Sequence, residues 1–368
     1  MKILEIITSL APGGGERFVT DLTNEIGMYK DHTVKLLSIK DINLANYGFY
    51  YKDLDKKIDF QCLKEKKFSF LTAFKVFKAI RNNKPNIVHI HLSSTLNACF
   101  LAILLYRKPL YVQTLHGRAD KQIASFFDKI IKNTVYKLGL VKLITISDSN
   151  NKSFQDFFRR KSDGIIYNGR QELIISNREK VKDEISKYMI NDETVVFTHV
   201  ARFHPEKNQK LLINSFNKII NRGANAVLLI IGDGFDSEEG KKLKELACNS
   251  IYFLGLKNNV GDYLVNSDAF VLSSLNEAMP ISLIEALSCK CIPLSTPVSG
   301  SIDIIKNGVN GFISKDFTEE SFINMLCDFL ENRKNINKEE IYDLYVKQFS
   351  ITTCAKKYIS FFENKSRN

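Results

Sequence analysis

The segment 273–311 contains a proline placed where a helix could begin. Pro280 suits the first position of a helix, because the N–H that proline lacks would have no partner there. We therefore predict a helix over 281–288. Its unpaired amides and its dipole would both attract negative charge, which suits a diphosphate. The amides expected to point outward are those of Ile281, Ser282 and Leu283.

Two glutamates flank this helix start, eight residues apart. Glu277 lies in the preceding loop and Glu285 one turn inside the helix, so one carboxylate can face the mouth of the site while the other lies deeper. Carboxylates accept hydrogen bonds from hydroxyls, so the deeper one suits a ribose diol and the outer one a hexose. The alternative interpretation is a solvated loop glutamate next to an ordinary helical one.

Two cations follow another predicted strand. Arg202 and Lys207 lie five residues apart, just before the next helix is expected to begin. Paired fixed cations would stabilise a diphosphate whose negative charge grows as a glycosidic bond breaks. Surface charges at a strand end are the alternative, and the two glutamates favour the first interpretation.

Glycines mark two more strand ends. Gly232 and Asp233 belong to a Gly-Asp-Gly turn that could pass close to a ligand. Gly13 and Gly14 follow the first strand, where glycine lets a backbone approach phosphate or sugar without a Cβ clash. The first-strand loop is not a dinucleotide fingerprint, so an NAD-dependent oxidoreductase is disfavoured.

The segment 277–285 resembles the E-x7-E motif of the retaining glycosyltransferases of family 4, which have the GT-B fold. The likeness is strong over 195–315, where residues 200–208 resemble the family's arginine–lysine loop. It is weak through 40–85 and 118–140, where acceptor contacts would be expected. Asp303 stands where the family usually has glutamate, and the loop around it also lacks one glycine and the proline of the family pattern.

The resemblance implies a role for each matching residue. Glu285 would bind the ribose and Glu277 the donor sugar, while Arg202 and Lys207 would contact the phosphates. His116 matches the family histidine that contacts the donor sugar, and completes a catalytic set with Glu277, Arg202 and Lys207. The other donor-binding residues that the resemblance implies are Gly13, Gly14, Gly232, Asp233, Met279, Pro280, Ile281, Ser282, Leu283 and Glu285.

Metal chemistry is not expected. His89 and His91 share one face of a predicted strand, and a structural role is favoured because no third ligand is evident. Asp53 and Asp55 form a DxD sequence, the metal–diphosphate motif of the other large glycosyltransferase architecture. It lies in a lysine-rich connection, so we interpret it as solvated charge. We predict neither a metal nor another cofactor.

Short β-rich runs alternate with 3.6-period segments along the chain, the pattern of parallel α/β sheets. Strands are predicted at 2–8, 33–39, 58–62, 87–91, 110–115, 143–147 and 164–167, then at 194–200, 226–231, 251–254, 269–272, 292–295 and 311–313. The polar stretch between these series is expected to connect two domains, 1–170 on the acceptor side and 190–349 on the donor side. A final helix over 350–364 is expected to pack back on the first domain.

Composition agrees with a two-domain globular chain. The 368 residues exceed one ordinary core. Seven scattered cysteines without a CxxC pair predict buried thiols in a reducing cytosol. No apolar run reaches the ~18 residues that span a bilayer, and the N-terminus does not resemble a signal peptide. A cytoplasmic protein is therefore expected.

The net charge of +11 is uneven, because residues 1–168 carry 27 Lys+Arg against 15 Asp+Glu and the rest is nearly neutral. In the basic stretch 64–84, Phe70, Phe74 and Phe77 recur at helical spacing. Such a helix could lie on the anionic inner face of the cell membrane. Alternatively, it could pack on a sheet through its apolar face, with its basic face in solvent. No nucleic-acid partner is expected, since no recognition motif accompanies the charge.

We therefore predict an α/β chain with the GT-B fold: two Rossmann-like domains that face each other across a cleft. The expected function is retaining transfer of a sugar, from a nucleotide-sugar donor with UDP as the favoured nucleotide, to a glycan or lipid-linked acceptor in surface polysaccharide synthesis. Two alternatives stay open. One is an epimerase or hydrolase of the same fold, and the other is a non-catalytic protein that binds nucleotide sugars or anionic polymers.

Overall fold

The computed structural model describes residues 1–123 and 125–366. The chain divides into two compact units: 1–171 together with the segment that starts at Gln348, and Glu172–Lys347. The strands are Lys2–Ile7 (β1), Thr33–Lys40 (β2), Asp59–Glu65 (β3), Ile87–His91 (β4), Leu110–Leu115 (β5), Lys142–Thr145 (β6), Gly164–Ile165 (β7), Val195–Val200 (β8), Ala226–Ile231 (β9), Ile251–Gly255 (β10), Ala269–Leu272 (β11), Ile292–Ser295 (β12) and Phe312–Ile313 (β13).

Helices alternate with these strands along both units. They are Gly14–Ile26 (α1), Phe70–Asn83 (α2), Ser93–Leu105 (α3), Phe126–Lys137 (α4), Asp148–Phe158 (α5), Arg178–Ser186 (α6), Gln209–Asn221 (α7), Glu238–Lys244 (α8), Val260–Leu264 (α9), Ile281–Ser288 (α10), Ser299–Ile302 (α11), Glu319–Asn332 (α12), Lys338–Leu344 (α13) and Ile351–Ser366 (α14). A π-helical turn, Tyr345–Phe349, follows α13.

The first unit contains a seven-stranded sheet of order β3-β2-β1-β4-β5-β6-β7, and all the pairs in it are parallel. Val76 of α2, Cys99 of α3 and Phe154 of α5 are buried in the core on one face. Phe18 of α1 and Tyr358 of α14 are buried on the other. Both faces are covered, which explains why β1 is apolar over most of its length and why both faces of β4 are buried.

The second unit contains a six-stranded parallel sheet of order β10-β9-β8-β11-β12-β13. In both sheets the strand order reverses direction beside the first strand, between β1 and β4 and between β8 and β11. In open α/β sheets, ligands bind beyond the carboxyl ends of the strands at this reversal. The expected α/β class and the doubly wound Rossmann-like arrangement are confirmed for each unit.

The polar stretch after residue 170 belongs to the second unit rather than to a free connection. Asp262 accepts hydrogen bonds from the amides of Ser176 and Asn177, both at 2.9 Å. Val181 and Ile185 of α6 are buried in the core of that unit. The polar character that suggested a connection comes from the exposed residues of an amphipathic helix.

Among the described residues, no helix combines the length and the apolar character that crossing a bilayer requires.

Candidate active site

Helix α10 begins at Ile281, at the carboxyl edge of the second sheet, as the sequence predicts. Pro280 was expected to be the first helical residue. It is instead the N-cap, with an extended backbone (φ −73°, ψ 113°). The amide of Leu283 is not available either, because it donates to the carbonyl of Pro280 at 3.2 Å. Within the described part of the chain, the amides of Ile281 and Ser282 have no backbone acceptor, so the predicted anion site is narrower than expected.

Lys207 and Glu277 meet beside this helix start. The Lys207 Nζ lies 2.5 Å from Glu277 Oε1, and both side chains are largely buried. Ser274 donates to the same carboxylate oxygen at 2.8 Å. Two residues separated by 70 positions in sequence thus form one ion pair, on the loops that follow β8 and β11.

Three further hydrogen bonds fix these loops, two between the loops and one from α11. The Leu275 amide donates to the Glu206 carbonyl at 2.8 Å, and the Ser273 hydroxyl donates to the Lys207 carbonyl at 2.8 Å. The Ser299 hydroxyl donates to the Glu277 carbonyl at 2.8 Å. The Lys207–Glu277 pair is therefore fixed by backbone contacts on both sides, which lowers the entropy lost when a ligand binds.

Met279 is buried next to the start of α11. A Cβ at Gly300 would lie 2.7 Å from the Met279 Cα and 2.6 Å from the Ala278 carbonyl oxygen. The second glutamate of the predicted pair, Glu285, is partly exposed one turn inside α10. The loop around Asp303 departs from the family pattern, but it keeps Gly300, the glycine that its close approach to the loop 277–279 requires.

Arg202 is exposed after β8, and its backbone is held from below. The Gln209 side chain donates to the Arg202 carbonyl at 3.0 Å and lies 3.5 Å from His199. His199 is fully buried and lies 2.8 Å from the carbonyl oxygen of Val271. Burial lowers the pKa of His199 to about 4, so it supports β11 as a neutral ring. Neither supporting residue was predicted from the sequence.

Gly232 approaches protein backbone rather than open space. A Cβ there would lie 2.0 Å from the Ala201 carbonyl oxygen and 3.1 Å from the Arg202 amide nitrogen. The carbonyl of Asp233 accepts the Phe203 amide at 2.8 Å, while the Asp233 side chain is exposed. The glycine was expected to admit a ligand, but its first role is to seat the turn after β9 against the Arg202 loop.

Replacing Gly232 with alanine is expected to displace the Arg202 backbone. We expect a loss of about 1–3 kcal/mol in unfolding free energy, typical of overpacking, and weaker nucleotide binding. Urea unfolding and calorimetric titration measure the two effects. Gly255→Ala is the matched control, because Gly255 has φ +69° with nothing within 4 Å; it should cost only about 1 kcal/mol and leave nucleotide binding unchanged. Equal nucleotide affinities in the two variants would contradict the assignment.

In the first unit, the glycine loop leads into α1. Gly13 is the N-cap and Gly14 the first helical residue. The glycine that touches the predicted site is the next one, Gly15, whose Cβ would lie 3.0 Å from Leu92 and 3.6 Å from the His116 ring. The predicted loop is therefore adjacent to His116, through a residue that the prediction did not include.

His116 follows β5 and belongs to a buried network. Its Nε2 lies 3.1 Å from His91 Nδ1, and His91 Nε2 lies 2.5 Å from Glu5 Oε2. His89 Nδ1 lies 2.8 Å from the same Glu5 oxygen, and its Nε2 lies 2.8 Å from the Thr114 hydroxyl. The side chains of Glu5, His89 and His91 are fully buried.

Glu5 is thus the third group that the sequence analysis did not find. Among the described residues, Glu5, His89 and His91 place three ligand atoms within 4.8 Å of one another. These atoms already pair at 2.5–2.8 Å, closer than the roughly 3.3 Å between ligands of a tetrahedral metal with bonds of about 2.0 Å. The geometry is that of a hydrogen-bonded network. The available signal was an acid inside the apolar strand KILEII, since buried acids are rare unless paired.

This network is expected to make the first unit sensitive to acid. Burial raises the pKa of Glu5, but the two imidazoles outweigh it and hold that pKa at about 2. Burial lowers the pKa of His91 to about 4. Both shifts favour the folded state at neutral pH. The His91 contribution is lost as the pH falls from 6.5 towards 4, and the Glu5 contribution as it falls from 4.5 towards 2.

Urea midpoints measured at pH values from about 7 to about 3 test this expectation. The midpoint should fall steadily in the wild type, and the slope should be smaller in Glu5→Gln, which has no carboxylate to protonate at this position. Parallel slopes in the two proteins would contradict it.

Asp53 was predicted to be solvated charge, but it forms an ion pair. Its carboxylate lies 2.7 Å from an Arg17 guanidinium nitrogen, and Arg17 also pairs with Asp21 at 3.0 Å. The opposite side of Asp21 contacts Arg170 at 2.6 Å. The aspartate of the DxD sequence therefore anchors the first helix of its unit and is committed to an arginine.

Two families of known proteins match this chain. Residues 12–198 match the family described as Glycosyltransferase Family 4, and residues 180–347 match Glycosyl transferases group 1. An Escherichia coli protein named UDP-Gal:alpha-D-GlcNAc-diphosphoundecaprenol alpha-1,3-galactosyltransferase is 26% identical over 312 residues, 79% of each chain. The Staphylococcus aureus capsular polysaccharide biosynthesis glycosyltransferase CapH is 23% identical over 94% of this chain and 95% of its own.

Solved structures share the fold at low identity. The crystal structure of Anabaena HepE in complex with UDP and glucose superposes with a TM-score of 0.80 and 18% identity, covering 99% of this chain and 100% of that one. At this identity the likeness concerns the fold, which is therefore that of these two-domain glycosyltransferases.

Proposed function

Because this chain belongs to glycosyltransferase family 4 and is a glycosyltransferase, we propose that it moves a sugar from UDP to a lipid-linked glycan with retention at the anomeric carbon. The observation that carries the proposal is the Lys207–Glu277 pair at the start of α10. It combines a cation for a phosphate with a carboxylate for sugar hydroxyls, on a rigid strand-end loop.

The proposed donor site uses the second unit for the nucleotide diphosphate. Lys207 and Arg202 supply positive charge, and the amides of Ile281 and Ser282 supply donors aligned with a helix dipole. Glu285 would accept the ribose hydroxyls. His116 and the Gly13–Gly14 loop of the first unit would contact the donor sugar, a role that rests on the family resemblance.

In the proposed reaction, the acceptor hydroxyl oxygen forms a bond to the anomeric carbon while the bond from that carbon to the phosphate oxygen breaks. The hydroxyl proton passes to the departing diphosphate on the same face, which preserves the anomeric configuration. The cations and amides of the second unit stabilise the negative charge of the leaving group, and the proposal includes no metal.

A panel of UDP-, GDP- and ADP-sugars tests the donor assignment. A true ligand raises the unfolding temperature by mass action, and we expect the shift with UDP-sugars, with and without EDTA. Lack of a shift with the whole panel would contradict the proposed function. A chelator-sensitive shift would contradict metal independence.

The turnover product distinguishes transfer from its alternatives. With donor alone, a transferase should release sugar far more slowly than with a lipid-diphosphate glycan acceptor. Rapid release of free sugar without acceptor would favour a hydrolase, and conversion of the donor sugar would favour an epimerase. The anomeric configuration of the product, read by proton NMR couplings, tests retention.

The acceptor proposal draws on two relatives, one named for a diphosphoundecaprenol acceptor and one for capsular polysaccharide. A surface of the first unit agrees with a lipid-linked acceptor. On α2, Phe70 is 80% exposed, Leu71 67% and Phe74 51%, and exposed Lys67 and Lys75 lie nearby. Phe77, in contrast, packs on the core. The first part of α2 is therefore the part that would contact the anionic inner face of the cell membrane.

Vesicle co-sedimentation tests the membrane surface. We expect binding to vesicles rich in phosphatidylglycerol and little binding to pure phosphatidylcholine, with a loss in Phe70→Ser/Phe74→Ser. Ile174→Ser is the matched control, because Ile174 is 82% exposed in the other unit. Equal sedimentation of the two variants would contradict the assignment of α2.

A further inference from the structure

We propose that Glu5 and His91 are positioning residues that hold His116 in one neutral tautomer, with its proton on Nε2 and the lone pair of Nδ1 left to accept from a hydroxyl of the donor sugar. The tautomer follows from the first unit alone. The identity of the partner as a sugar hydroxyl rests on the proposed function.

The first step concerns Glu5 and His91. Glu5 pairs with His89 in the register of β1 and β4, which brings its carboxylate to the imidazoles on β4. Its Oε2 lies 2.5 Å from His91 Nε2. The pKa of Glu5 is held at about 2 by these imidazoles against the opposing effect of burial, so the group is a carboxylate that only accepts. His91 must therefore carry a proton on Nε2.

The second step concerns the other nitrogen of His91. Burial and the neighbouring His89, against the opposing effect of Glu5, lower the pKa of His91 to about 4, so near neutral pH His91 has one proton, which Nε2 already carries. Its Nδ1 is then an acceptor. That atom lies 3.1 Å from His116 Nε2, and the contact is a hydrogen bond only if His116 donates from Nε2.

The third step concerns the remaining nitrogen of His116. Burial lowers the pKa of His116 well below its usual value, and the nearby His91 acts in the same direction. A neutral ring with its proton on Nε2 has a lone pair on Nδ1. This atom is shielded from solvent and has no hydrogen-bond partner in the described part of the chain. The Phe18 ring, at 5.4 Å, and Gly15 pack against the imidazole without supplying one.

The unmatched acceptor predicts which donor sugars fit. Leaving a buried acceptor without a partner is unfavourable, and a ligand that donates an O–H there removes the penalty. A sugar hydroxyl can donate to Nδ1, whereas a carboxylate in the same position would place two acceptors against each other. The chain from Glu5 therefore favours sugars that present a hydroxyl to His116 over their uronic acid counterparts.

Nitrogen NMR of the histidine-labelled full-length protein tests the tautomer without any substrate. The chain has six histidines, and the signal that disappears in His116→Asn identifies His116. We expect an unprotonated Nδ1 and a protonated Nε2 at neutral pH. A proton on Nδ1, or an imidazolium, would overturn the proposal whatever the variants show.

Two variants of the same buried network separate positioning from structure. His91→Phe removes the acceptor of the His116 proton, so the fixed tautomer should be lost and the UDP-sugar Kd should rise about tenfold, the factor of one net hydrogen bond. Thr114→Val is the matched control, because Thr114 belongs to the other side of the network, where it contacts His89 and Tyr358. It should leave the His116 spectrum and the Kd unchanged even if stability falls.

The outcomes are separable. If folded His91→Phe retains the wild-type His116 spectrum, the positioning role is wrong. If the wild-type tautomer is as expected but no nucleotide sugar binds, the proposed function is wrong and the tautomer assignment stands. A preference for a UDP-uronate over the matching UDP-hexose would overturn the inferred contact.

Discussion

Lys207→Ala is expected to lower kcat about 10²- to 10³-fold, the range for removing one preorganised group that stabilises transition-state charge. Lys207 is partly buried on a loop fixed by backbone hydrogen bonds, and its Nζ contacts Glu277 at 2.5 Å. The charge on a departing diphosphate is largest in the transition state. The loss should therefore fall mainly on kcat, with a smaller change in the donor KM.

Steady-state rates with a UDP-sugar and a lipid-linked acceptor measure this effect. Lys210→Ala is the matched control, since Lys210 is exposed in the first turn of α7 and should leave kcat within about twofold, as expected for a surface charge. Full turnover in Lys207→Ala would contradict the role assigned to Lys207 at the departing diphosphate.

Asp21→Ala is expected to reduce the unfolding free energy of the first unit by about 3–5 kcal/mol, the range for breaking a buried ion pair. Asp21 is 1% exposed and lies between Arg17 and Arg170. Arg170 is 7% exposed. Without the carboxylate, the Arg170 guanidinium would remain buried with the Asp21 charge removed, and most of the expected loss arises from that.

Urea unfolding followed by fluorescence of the tyrosines measures the loss. Asp59→Ala offers a contrast in the same unit, because Asp59 pairs with Lys35 at 3.1 Å but is 68% exposed; such a surface pair is worth about 1 kcal/mol or less. Similar losses in the two variants would mean that burial of the Asp21 cluster is not what stabilises it.

The sequence predicted the strand-end positions of the site more reliably than the atoms that act there. Apolar β-rich runs followed by glycine, proline or charge placed the loops after β8, β9 and β11 in the right order, because parallel strands present their carboxyl ends at one edge. That order placed Lys207 and Glu277 on neighbouring loops, but their ion pair was not predicted.

What the sequence did not predict depends on contacts between distant residues. The pairing of Glu5 with His91 joins positions 86 apart, and periodicity carries no information about such contacts. The Leu283 amide was misassigned because a tight turn at Pro280 depends on local backbone angles. The close approach of Gly232 to the Ala201 backbone was not predicted either, because a one-dimensional pattern does not show neighbouring loops; its contact with a ligand stays a prediction.

Because the chain returns to its first unit after the second, the cores of the two units are completed at different times during translation. Helix α14 supplies Tyr358 and Phe362 to the core that covers one face of the first sheet, yet it is translated after the whole of Glu172–Lys347. The second unit can therefore complete its core while the first still exposes the apolar face around Phe18. During translation this face must be kept from aggregating, and stop codons shortly before Ile351 should yield insoluble chains although all the proposed site residues have been made.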